Sequence, residues 1–388
     1  MLAITNLKIN STNGGITIVM AMLLLVLALG SAVYSAQTKL LDIRIANAQL
    51  RKNQALLNAE AGLLQTIAQL SIMPQINDGI VNDAQIYTVE ISPLLQAGLP
   101  VDSPMWHSDL VLKLAAQGYS DDGSSTVMLE QKLWLHAILR AIPNATITSA
   151  GKINIGGNFS IGANPHGAQL DLPLSVWSAS SIAVSGNGAT CAIEEYDQGD
   201  CHAFAYSNKT KINRDLYQDP RRSLGGSFPN DLLDYTFGIP SDNYQALKQL
   251  AQSQLTNCNQ LNDATTGLVW VSGDCKINVN AVISSPQQPV ILVIEDGDLI
   301  LNGNAQLFGL VYLLDTKSCA TNLLVQCSKV TLGGNAQIQG ALISHADIEL
   351  SGANFGIRFN HDILSKMEDL QMEQYSTIEY LPGSWKDF

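Results

Sequence analysis

From Ile16 to Ala36 the chain carries no charged side chain, and the first charge after Lys8 is Lys39. As a helix this apolar run is about 31 Å long, the thickness of a bilayer's hydrocarbon core. Three kinds of segment answer to it. One is a cleaved secretory signal, for which Ser31-Ala32-Val33-Tyr34-Ser35-Ala36 offers small residues at a cleavage site. Another is a plain signal anchor. The third is a helix that starts in lipid and continues beyond it.

The residues after Lys39 favour the third. Ile43, Leu50, Leu57 and Leu64 recur every seven residues, and Ala46, Ala61 and Ile67 fill the same face. No proline occurs before Pro74, and Gly30 and Gly62 are the only glycines on the way. The pattern predicts one helix from Ile16 to about Leu70, roughly 80 Å long. Its first half is apolar all round and its second half is amphipathic. The stripe serves packing on the chain's own domain or on other helices, and both uses need the same residues.

Here the chain resembles a known family. Gly15-Ile16-Thr17-Ile18-Val19-Met20 is similar to the prepilin peptidase site of type IV pilins, Gly-Phe-Thr-Leu-Ile-Glu, and Asn58-Ala59-Glu60-Ala61-Gly62-Leu63 resembles a segment of PilX-like minor pilins. The resemblance implies cleavage after Gly15, with Gly14 as the alternative, and Ile16 as a methylated N-terminus. It departs at Met20, the fifth mature position, where major pilins carry glutamate. That carboxylate pairs with a neighbouring subunit's terminal amine, and a buried amine without a counter-charge is costly. A subunit that starts a filament has no predecessor to stack on, so the departure points to a tip or priming role. The implied assembly residues are Met20, Ile43, Leu50, Leu57 and Leu64. The implied partners are other minor pilins, a tip adhesin, prepilin peptidase and, before assembly, the bacterial inner membrane. The resemblance places the bulk of the chain in the periplasm and then at the extracellular pilus tip. Charge alone would orient the helix the other way, since Lys39, Arg44, Arg51 and Lys52 come after the apolar run.

Beyond the helix the residues alternate. Residues 85–92, Asp109–Leu114 and Thr126–Glu130 read as strands, the last two joined across Ser120-Asp121-Asp122-Gly123. From about residue 150 a hexapeptide recurs: apolar, any, apolar, small, Gly, Asn. It stands at Ile153–Asn158, Ile182–Asn187, Val269–Asp274, Leu299–Asn304, Val330–Asn335 and Ile348–Ala353. A short strand followed by a Gly-Asn corner, repeated, builds a β-solenoid. The 18 residues from Val330 to Ile348 give a coil length, and the 31 from Leu299 to Val330 imply a 13-residue loop at 316–328. Asn304-Ala-Gln-Leu-Phe-Gly309 matches Asn335-Ala-Gln-Ile-Gln-Gly340 beyond the corner. A β-sandwich with similar turns is the alternative. Between early and late repeats lies a polar insertion with a short helix near Asp242–Gln254, which Asp242 would cap.

Cysteine and charge narrow the class. Six cysteines fall as Cys191/Cys201, Cys258/Cys275 and Cys319/Cys327, and gaps of 10, 17 and 8 residues predict three local disulfides. Six buried thiols are the bland alternative. With 21 basic against 34 acidic residues, net −13, and no basic stretch, the chain lacks a nucleic-acid footprint. Charged residues are 14% and apolar ones 46%, which excludes a disordered chain. The six histidines show no ligand spacing, and no Walker A, His-Glu-x-x-His or Gly-x-Ser-x-Gly motif appears. Ser185-Gly186-Asn187-Gly188 reads as a corner rather than a phosphate loop. Glu295–Asp298 and Asp121–Gly123 read as solvated turns rather than calcium loops.

The expected fold is α+β: a long N-terminal pilin-type helix, a small antiparallel sheet, then a β-solenoid-like all-β domain. The expected parts are a leader (1–15), a transmembrane and amphipathic helix (16–72), a pilin-like antiparallel sheet (73–143), a β-solenoid-like domain (144–190 and 268–365), a disulfide-containing insertion (191–267) and a C-terminal tail (366–388). The expected function is non-enzymatic, with no cofactor or metal: a minor pilin that primes or caps a pilus tip by helix packing. The alternative is a membrane-anchored or secreted β-solenoid that binds or cleaves polysaccharide.

Overall fold

The computed structural model describes residues 13–72, 79–83, 86–94, 109–167, 172–316, 328–345, 347–368 and 376–387. The fold is α+β. A long apolar N-terminal helix leads into a small antiparallel sheet, and a large β-rich region comes after it.

Helix α1 runs unbroken over Asn13–Ile72. Its apolar half stands clear of the protein and is long enough to cross a membrane. Its second half lies on a sheet made of β1 (Gly79–Asp83), β2 (Tyr87–Leu94), β3 (Asp109–Tyr119) and β4 (Thr126–Ala137), all antiparallel. Burial alternates along β4, with Val127, Leu129, Leu133 and Leu135 turned to the helix. Gly118 sets the distance of approach. A Cβ there would stand 2.1 Å from the Ala55 carbonyl and 2.4 Å from the Ala59 nitrogen, so backbone meets backbone. Two strands lie where the sequence predicts only a tail. Ser376–Tyr380 and Lys386–Asp387 pair antiparallel with β4. Ile378 adds its side chain to the core beneath the helix.

Apart from an antiparallel pair, Asn164–Gly167 with Leu172–Leu174, the rest of the strands pair in parallel and form three faces. On the first, the order in space is 253–255, 267–272, 290–295, 309–314, 340–344, 147–149, 176–178 and 216–218. The second face carries Cys275–Ile277, Leu299–Leu301 and Lys329–Leu332, then 348–352, Ile153–Ile155 and Ile182–Val184. The third runs from Val282–Ile283 to Ala189–Cys191. Space and sequence disagree in one place. The early turns, 147–191, stack on the last one, and residues 193–252 carry the chain back to the opposite end.

The register corrects the repeat. Gln306 pairs with Gln337 and Gly309 with Gly340, residue for residue as the two hexapeptides align. Val330, however, pairs with Leu350 rather than Ile348, and Val269 pairs with Leu292 on the first face while Cys275 faces Leu299. Leu299 does pair with Val330, and Ile348 with Ile153, which pairs with Ile182, so five of the six hexapeptides share the second face and the Val269 copy is the exception.

Two apolar layers sandwich the first face. Val271, Leu292, Val311 and Leu342 point to the interior shared by the three faces. Their neighbours Trp270, Val293, Tyr312 and Ile343 point outward. The short α2 (Ile193–Gln198) contributes the half-buried Ile193, and these side chains meet α3 (Leu232–Phe237), α4 (Tyr244–Gln249) and α5 (His361–Glu368). Every residue of Val290–Glu295 is buried, as in a strand covered on both sides. The helix expected near 242–254 is α4, and Asp242 does not cap it. Asp242 sits in a 3-10 turn before α4, and the N-cap of α4, Asn243, makes no side-chain cap, whereas Asp231 caps α3 by accepting from the Leu233 and Asp234 amides.

Disulfides close the stack. Cys191–Cys201 ties the last strand of the third face to the loop beyond it, and Cys258–Cys275 ties the last strand of the second face, at the far end, to its own loop. Cys319 and Cys327 lie outside the described residues. Cys258→Ser should lower unfolding free energy by about 2–4 kcal/mol, given its 17-residue separation from Cys275, measured by denaturant melts with and without reductant.

One polar cluster pins α4. Glu295 is 9% exposed and accepts from Lys248 Nζ (2.6 Å), Trp270 Nε1 (2.8 Å) and Ser272 Oγ (2.7 Å). Burial by itself raises the carboxyl, but these hydrogen bonds outweigh it and hold it at about 2. A depressed acid stabilises the fold above its ordinary value, and that stabilisation drains away as pH falls from 4.5 towards 2. Lys248→Met should therefore lower stability at pH 7 and flatten its loss across that window, read by urea melts at stepped pH.

Candidate functional site

The exposed side of α1 is the candidate site, and its geometry comes from helical pitch. Seven residues turn a helix to within about 20° of its starting direction, so a seven-residue apolar repeat stays on one stripe. Ile43, Leu50, Leu57 and Leu64 are 56%, 69%, 63% and 62% exposed. Ala55, Ala59, Leu63, Thr66 and Leu70 are buried on the sheet. The two sets lie on opposite sides of the same helix.

The heptad alone would let the stripe serve its own domain as well as other helices. The structure separates the two uses. The sheet takes the small-residue side because β3 comes within backbone contact at Gly118, where leucine would not fit. Leu63 and Leu70 are buried beyond that contact, while Ile43, Leu50, Leu57 and Leu64 face out. Polar ties hold the orientation: Asn58 Nδ2 donates to the Tyr119 carbonyl (2.7 Å) and Tyr87 Oη to Gln65 Oε1 (2.6 Å). Of the predicted companions, Ala61 is exposed on the stripe, whereas Ile67 is half-buried against the sheet's core.

Met20 is 62% exposed within the bare apolar half. Gly15 and Ile16 lie in the opening turns of α1, and the leader before Asn13 lies outside the described residues.

The acidic turns are occupied by the protein itself. Asp122 accepts from the Ser124 hydroxyl and amide and from the Ser120 hydroxyl, which hold its carboxyl at about 2. Asp296 accepts from the amide and hydroxyl of Thr316. Asp274 accepts the Asp298 amide and Asp298 the Lys329 amide, so these carboxylates stitch successive turns together. Among the described residues no His, Cys, Asp or Glu cluster has metal-binding geometry.

No family model matches the chain, and no curated protein does. Among solved structures it is similar to a Shewanella frigidimarina ice-binding protein_1 DUF3494 domain, at 11% identity and a TM-score of 0.22, over 57% of this chain and 98% of that domain.

The two sides of α1 should respond oppositely to substitution. Leu57→Lys is expected to leave the unfolding free energy of the detergent-solubilised protein, from denaturant melts, within about 0.5 kcal/mol of the parent. Ala59→Leu is expected to cost about 1–3 kcal/mol by overpacking.

Proposed function

We propose that this chain is a minor subunit of a type IV pilus, of the PilX-like kind, which primes or caps the filament tip. The observation that carries the reading is the stripe of Ile43, Leu50, Leu57 and Leu64. Large apolar side chains stand in solvent on a helix that continues unbroken from an apolar half fit for lipid. A helix of this form moves from bilayer to helical bundle without losing its apolar surroundings. In the bilayer the apolar half is solvated by acyl chains. In the bundle other minor pilins cover both it and the stripe.

The remaining parts fit that reading. Met20 supplies no carboxylate for a neighbour's terminal amine, so the subunit gains nothing from a predecessor and is suited to come first. We read the stack of parallel turns as a β-solenoid, a bulky module that only a terminal position accommodates. Prepilin peptidase would cut after Gly15, and Ile16 would lead the mature chain.

The test is twofold. Mass spectrometry of protein purified from its own membrane should find Ile16, methylated, at the N-terminus; a start near Gln37 would leave an exported or anchored β module that acts on polysaccharide. Leu57→Lys should reduce recovery of the protein with the other minor pilins at least tenfold, by quantitative co-purification, with the periplasmic fold unchanged. Normal recovery of that variant would refute packing through the stripe.

A further inference from the structure

A cleft lies where the outer side of the antiparallel sheet faces the helices of the insertion, and its volume is about 350 Å³. One wall is built by strand register. Trp134 and His136 stand two apart on β4, so both leave its outer side. Glu379 pairs with Trp134 and Thr377 with His136 on the neighbouring C-terminal strand. The result is a patch of four side chains, two by two: an indole, an imidazole, a carboxylate and a hydroxyl. The Trp134 and His136 rings are 4.3 Å apart at 40°, and the indole remains 36% exposed.

The facing wall is apolar, with Phe237, Ile239, Leu247 and Leu250 from α3, α4 and their flanks. Arg140 closes the back, its guanidinium 3.8 Å from Asp234. Its backbone is held there, because the Arg140 amide donates to the Thr236 carbonyl at 2.9 Å, and its side chain is 56% exposed.

We infer that this cleft binds a pyranose ring bearing a methyl group, as an N-acetyl or 6-deoxy substituent. The open indole face takes the ring's C–H face. The Glu379 carboxylate accepts from ring hydroxyls, the Arg140 guanidinium donates to them and Thr377 does either. The apolar wall opposite receives the methyl. A phosphorylated ligand is disfavoured because Glu379 and Asp234 flank the guanidinium. A lipid tail is disfavoured because one wall is polar along its length. Neither the helix stripe nor the processing site takes part, so the inference stands whether or not the chain assembles into a pilus.

Saturation-transfer NMR on the detergent-solubilised full chain tests it, with methyl N-acetyl-β-glucosaminide, methyl fucoside and methyl glucoside as probes. At least one of the first two should bind with a millimolar dissociation constant, and methyl glucoside about tenfold more weakly. Trp134→Ala and Glu379→Gln should each weaken binding about tenfold or more. The Glu379 side chain is 71% exposed, so its variant reports on binding with the fold intact. Absence of saturation for both substituted sugars, or equal saturation in the two variants, would overturn the inference.

Discussion

The first parallel face is buried on both sides, and most of the β-rich region depends on that. Its inward side chains fill the space between three faces, and its outward ones, from Trp270 through Val293 and Tyr312 to Ile343, are covered by α3, α4 and α5. Of those helices, α3 and α4 belong to the insertion and α5 lies more than a hundred residues later. One set of strands therefore holds the insertion, the late turns and the C-terminal helix at once. Lys248 adds a directional tie, because its ammonium and the Trp270 indole share Glu295. The cluster is largely buried beside an apolar layer, which strengthens the interaction of the carboxylate with its donors.

Helix α1 shows the same economy with a different outcome. A sheet would normally claim the largest apolar residues of a helix laid across it. Here Gly118 brings the strand so near that alanine is the largest residue the contact line admits at 55 and 59. Leu63 and Leu70 still enter the core farther along, while Leu50, Leu57 and Leu64 stand on the far side, where no described residue covers them. The narrow contact and the bare stripe are two effects of one spacing. The Arg51–Asp122 pair at its edge, 3.1 Å apart and about half exposed, contributes little beside them.

Much of this was legible in the residues. The uncharged run and the sevenfold repeat fix the helix, and Asn304–Gly309 and Asn335–Gly340 announce two turns of one register. The side of α1 that meets the sheet was not legible, since both sides carry apolar residues and the choice was made by a glycine more than forty residues away. Nor were the C-terminal strands, whose partner β4 lies far back in the chain. The order of the parallel turns escaped for a related reason: periodicity states that turns repeat and leaves open which turn lies on which. The cleft at Trp134 had no sequence signal, because its walls come from β4, the last strands and the insertion.

The early turns stack on the final one, and this has a bearing on biogenesis. Strand 147–149 finds its neighbour in 340–344, almost two hundred residues later. The opening turns pair with one another about thirty residues apart, but their other edge stays open until nearly the whole polypeptide is available. Contacts so remote form slowly and leave strand edges bare meanwhile. The open edge of the early turns is thus a seam that is sealed only when the late turns arrive.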